Sequence, residues 1–104
     1  MNKVLLWGGR SQARIAHQMI KEDRDDLEVH LIFDRTLDAP TYGTNVPFIN
    51  EVGLLGKNIS DLSHFVVCMG GEHGFARVIT AEALEKFGLY PVSLISKYSV
   101  VEET

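Results

Sequence analysis

Two short apolar runs, Val4-Leu5-Leu6-Trp7 and Phe65-Val66-Val67-Cys68-Met69, each end on a pair of glycines, Gly8-Gly9 and Gly70-Gly71, with a helical pattern directly after. An uninterrupted apolar run of this length predicts a strand buried on both faces, and such strands belong to sheets covered by helices on both sides. Glycines at a strand's end let the backbone turn sharply into the next helix. The chain is therefore constrained to repeated strand–turn–helix units, and so to a parallel sheet.

The remaining segments extend this reading. Ser11 is a suitable N-cap, and the helix it opens runs to Glu22 with Ile15/Met19 and Ala16/Ile20 at helical spacing. Leu27 to Phe33 reads as a second strand ending at Asp34, followed by turn-rich sequence. Pro47 makes Val46 to Ile49 an edge strand. Asn50 to Gly56 reads as a short helical turn closed by its glycine, and His64 or Phe65 to Met69 as the third buried strand. The clearest helix lies within Glu72 to Gly88, with Phe75, Val78, Ile79, Ala81, Leu84 and Phe87 near one stripe and Gly88 just past the end. Pro91 to Ile95 gives a last strand, and Lys97 to Thr104 has no clear element. The expected architecture is α/β, a single domain over 1–104: an open parallel sheet of about four to five strands with flanking helices and right-handed crossovers.

Composition excludes several functions. A net charge of -4 with scattered Lys and Arg argues against a nucleic-acid partner, which would need a basic face. The one charge run, Glu22-Asp23-Arg24-Asp25-Asp26, reads as a solvated helix end. No stretch approaches the roughly 18 apolar residues of a membrane span, and no signal peptide is recognisable. The single cysteine, Cys68, allows no internal disulfide and sits where a thiol serves as a small buried hydrophobe, so a cytoplasmic location is expected. His17, His30 and His64 lie on a helix face and in strands without metal-ligand spacing, and no metal site is expected. Nucleophile-elbow and P-loop motifs are both lacking, so no catalytic residue is assigned.

In an open parallel sheet, ligands bind beyond the carboxyl ends of the strands. Those ends carry Gly8, Gly9, Arg10, Ser11 and Gln12; then Asp34 and Arg35; then Gly70, Gly71, Glu72 and His73. Unpaired N–H groups at a helix start favour phosphate, and glycines allow its close approach. Gly8 to Ala13 nevertheless fails the dinucleotide fingerprint, with Arg10 in place of the second glycine. The Arg10 guanidinium either holds a phosphate or points into solvent. Asp34 either accepts from a ribose hydroxyl or forms a strand-end Asx turn, and Arg35 suits a phosphate or a carboxylate. His73 is a binder or helix-start residue rather than a catalyst.

Gly8 to Ile15, Phe33-Asp34, Cys68 to Glu72 with Arg77 to Ile79, and Tyr90 to Val101 occur in an order that resembles the N-terminal domain of bacterial sugar O-acyltransferases. This group includes sialic-acid O-acetyltransferases and UDP-4-amino-sugar N-acetyltransferases. The resemblance implies a Rossmann-like domain that binds a nucleotide sugar, UDP-linked, with the glycine turn at its phosphates. It implies also that acetyl-CoA, the catalytic His and trimer formation belong to a left-handed β-helix that this chain lacks. Arg10, Ser11 and Gln12 depart from the family's pattern, in which glycines and a His occupy this turn. The expectation is a UDP-sugar acceptor-binding domain for surface-glycan biosynthesis, inactive alone and holding no cofactor. The alternatives are a Rossmann-like NAD(H)- or CoA-binding sensor and a ligand-free protein-interaction domain.

Overall fold

The computed structural model describes residues 2–68 and 74–92. In chain order these form β1 (Asn2–Trp7), α1 (Ser11–Asp23), β2 (Leu27–Phe33), β3 (Phe48–Ile49), α2 (Val52–Asn58), a 3-10 turn (Ile59–Asp61), β4 (His64–Val67), α3 (Gly74–Lys86) and β5 (Tyr90–Pro91). The strands make one five-stranded sheet in the order β3-β2-β1-β4-β5, with every pairing parallel. The chain thus has the expected Rossmann-like α/β architecture, with strand order reversing between β1 and β4.

The apolar runs bury both faces of the sheet. Val4 and Leu6 point to one side, with Ala13, Ala16 and Ile20 of α1; Leu5 points to the other, with Leu55, Leu62, Leu84 and Leu89. In β2 the alternation changes phase. Leu27 and Val29 face α1, whereas Leu31 and Phe33 face the opposite core. The register slips at this point, Val4 pairing with Val29 but Leu5 with Leu31, so a bulge at His30 inverts the faces of the residues that follow.

Several helix expectations change. Arg10, with extended φ −103° and ψ −156°, is the N-cap of α1, and Ser11 is already the first helical residue. The carbonyl of Arg10 accepts from Ala13 and Arg14, while no side chain caps the end. Ala16 and Ile20 face the core, but Ile15 is 43% exposed. Small Ala13 and Ala16 bring the helix close to the sheet, leaving only a narrow stripe for contact. Helix α2 runs through Gly56 to Asn58 rather than stopping there.

In α3, Leu84 is buried, but Val78 and Ile79 are 54% and 50% exposed, and Phe87, just past the helix end, is 68% exposed. A helix has 3.6 residues per turn, so each step of three falls about 60° short of a full revolution. Val78, Ala81, Leu84 and Phe87 therefore fan over roughly half the circumference, and only Ala81 and Leu84 meet the sheet side. The glycine stop is as expected. Gly88 has φ +89°, its N–H donates to the Glu85 carbonyl and that of Leu89 to the Leu84 carbonyl, a Schellman closure that packs Leu89 beside Leu84. The expected strand ends at Met69 and at 93–95 lie outside the described residues.

Candidate functional site

The strand-order reversal places the ends of β1 and β4 side by side. The Cys68 N–H donates to the Trp7 carbonyl at 2.8 Å, and the Gly8 N–H to the Phe33 carbonyl at 2.6 Å, so three strands are tied at the turn. Gly8 has φ +124°, and a Cβ there would lie 2.6 Å from the Cys68 carbonyl oxygen. Only glycine lets β1 turn away this close to β4. Gly9 is buried, and a Cβ on it would lie 3.2 Å from Leu37 Cδ1.

Asp34 organises the other side of this turn. Its Oδ2 accepts from the Gly9 N–H at 3.0 Å, and its Oδ1 accepts from the Thr36 N–H at 2.9 Å and the Thr36 hydroxyl at 2.6 Å. The Thr36 N–H bond is an Asx turn, the structural alternative for this residue. Burial alone would raise the Asp34 pKa; the hydrogen bonds from Thr36 and Gly9, with the charge of Arg10 nearby, outweigh it and hold the carboxyl below its ordinary value. The Gly9 carbonyl accepts from the Thr41 N–H at 2.9 Å.

The amides of both turn glycines are therefore engaged by the protein. The N–H groups of Arg10, Ser11 and Gln12 have no acceptor among the described residues, and they occupy the positive end of the α1 dipole. Arg10 is exposed, and its Nη2 donates to the Thr36 hydroxyl in a long 3.4 Å bond. It thus leans toward β2 and can leave at little cost. Arg35 is exposed on the same lip.

The structure brings Gly8 to Gln12, Asp34 and Arg35 together at the carboxyl edge, as the sequence suggests. Gly70, Gly71, Glu72 and His73, the expected opposing lip, lie outside the described residues. Thr36 and Thr41 escape sequence reasoning although both hold the turn. The Asp34-Arg35-Thr36 spacing, typical of an Asx turn closed by a hydroxyl, was the available signal. Among the described residues, no group of three or more His, Cys, Asp and Glu is placed to hold a metal ion, and no helix is long and apolar enough to cross a membrane.

The fold and this turn define a class, the open α/β domains with a candidate ligand crevice at the strand-order reversal. No family model matches the chain, and no curated protein matches it either.

Proposed function

We propose that the chain is a nucleotide-sugar-binding domain, taking a UDP-linked amino sugar as the acceptor for an acyl transfer that another domain performs in the cytoplasm. The observation that carries the diphosphate assignment is the set of N–H groups of Arg10, Ser11 and Gln12, without described acceptors, at the start of α1 beside the β1–β4 reversal. Such a helix start favours an anion through both hydrogen bonding and the dipole. The UDP-sugar assignment rests on the resemblance of Gly8 to Ile15, Cys68 to Glu72 and Tyr90 to Val101 to the sugar acyltransferases.

In this reading the diphosphate accepts from the α1 amides, and Arg10 exchanges its long bond with Thr36 for a charge-assisted one with a phosphate oxygen. Asp34 holds the glycine turn in place. With three of its roughly four acceptor positions used, it retains one for a ribose hydroxyl. Arg35 addresses the base or the ribose. The domain binds and orients; acetyl-CoA and the proton-accepting group come from the partner domain.

Calorimetric titration with UDP, a UDP-amino sugar, NADH and acetyl-CoA tests the proposal. The UDP ligands are expected to bind, and Arg10→Ala to weaken them about tenfold, the range for loss of a charge-assisted hydrogen bond. Binding of NADH with no response to UDP overturns the reading in favour of a dinucleotide sensor, and no binding of any of the four favours a protein-interaction domain.

A further inference from the structure

A concave surface whose lining includes none of Gly8 to Gln12, Asp34 or Arg35 lies between α1, β2 and the segment leading into β3. It encloses about 740 Å³, within the size range of small-molecule sites. Arg14, His17, Gln18 and Lys21 line it from α1. Their spacing of three, four and seven residues puts them on one side of the helix, next to the buried stripe of Ala13, Ala16 and Ile20. Tyr42 and Thr44 form the opposite wall, with Val29, Val46 and Pro47 as the apolar part of the lining.

The polar groups are unevenly matched. Neither Arg14 nor Lys21 makes an ion pair or side-chain hydrogen bond among the described residues, although the chain as a whole carries a net charge of -4. Gln18 is turned to Glu22, to which its Nε2 donates at 2.7 Å. Glu28 is the one carboxylate of the lining, and no ion pair joins it to Lys21. His17 is fixed instead, its Nδ1 hydrogen-bonded to the Tyr42 hydroxyl at 3.1 Å with the two rings edge to face. Burial first, and then the charge of Lys21, hold the His17 pKa below its ordinary value, while burial pushes the Tyr42 phenol up to about 12. The hydrogen-bonded pair is thus uncharged at neutral pH, flanked by two cations with no ion-pair partner among the described residues.

We infer that this groove is an anion site distinct from the glycine turn, taking a phosphate ester of a small, partly apolar molecule. Arg14 and Lys21 lie about 10 Å apart along the helix axis, so a phosphate seated over the His17 turn is about 5 Å from each along that axis, within reach of both long side chains. The His17–Tyr42 pair lies between them, and the valines and Pro47 receive the apolar part of the ester.

Backbone-amide NMR mapping on the whole chain, titrated separately with inorganic phosphate and with UDP, tests this inference independently of the proposed function. Phosphate is expected to shift Arg14, His17, Lys21, Tyr42 and Thr44 along one saturating curve. The double substitution Arg14→Ala/Lys21→Ala is expected to weaken that response at least about tenfold, while amide dispersion elsewhere shows the fold intact. The inference is overturned if phosphate shifts nothing in the groove, shifts only Gly8 to Gln12, or acts equally on the double variant. Failure of UDP to shift Gly8 to Gln12 counts against the proposed function alone.

Discussion

Among the described residues of the carboxyl edge, Asp34 serves two turns at once. One hydrogen bond to its carboxylate, from the Gly9 N–H, crosses to the turn after β1, and two more, from the N–H and hydroxyl of Thr36, close its own turn after β2. In Asp34→Asn one carboxylate oxygen becomes an NH₂ group, which cannot accept from either neighbour. The substitution should lower stability by about 1 kcal/mol at pH 7, the scale of one unsatisfied and partly solvated hydrogen bond. Because the folded carboxyl titrates below the ordinary 3.8, its contribution is complete above that value and is lost as pH falls through the folded value. The deficit of Asp34→Asn should therefore narrow as pH falls below 3.8, as urea denaturation at a series of acidic pH values will show. A deficit unchanged across that range would refute the ionic role. The sequence left Asp34 between a ribose ligand and an Asx turn, because an aspartate at a strand end suits both; the turn itself became visible only with the positions of Gly9 and Thr36.

At the scale of elements, the approach of β1 to β4 depends on one backbone position. Gly8 combines φ +124° with a 2.6 Å approach of its would-be Cβ to the Cys68 carbonyl oxygen, so Gly8→Ala must both strain the turn and push the strand ends apart. The combined cost should be at least about 2 kcal/mol, read as a lowered urea midpoint with unchanged slope. Near-native stability in Gly8→Ala would mean that the strands do not meet as described. The glycines after β1, the strand Leu27–Phe33 and the Gly88 stop were legible because each depends on local chemistry: apolar runs, backbone freedom, helix termination. The exposed faces of Ile15, Val78, Ile79 and Phe87 were not. Helical spacing shows which residues share a side of a helix, but not how wide a strip the sheet covers. The N-cap of α1 moved from Ser11 to Arg10 for a related reason: the tight turn after Gly9 starts the helix one residue earlier than a side-chain cap at Ser11 would.

For the whole molecule, the strand order predicts a gradient of stability. β1 is hydrogen-bonded to β2 and β4 and buried on both faces, whereas β3 and β5 are two-residue edges. Native-state hydrogen exchange should find the amides of Leu5 and Leu6 at least about tenfold slower than those of Tyr90 and Val92, which open with the edge. Uniform protection across the sheet would contradict this order. The sequence by itself determined the α/β class, the parallel pairing and the clustering of Gly8 to Gln12 near Asp34, because short-range patterning and the handedness of βαβ crossovers fix these. The tertiary structure decided the phase change at His30, the engagement of both turn glycines' amides, and the groove between Arg14, His17, Lys21 and Tyr42. Each of these depends on which atoms meet between residues 25 or more positions apart, as in the Gly9–Asp34 and His17–Tyr42 bonds, and spacing along one strand or helix carries no record of such meetings.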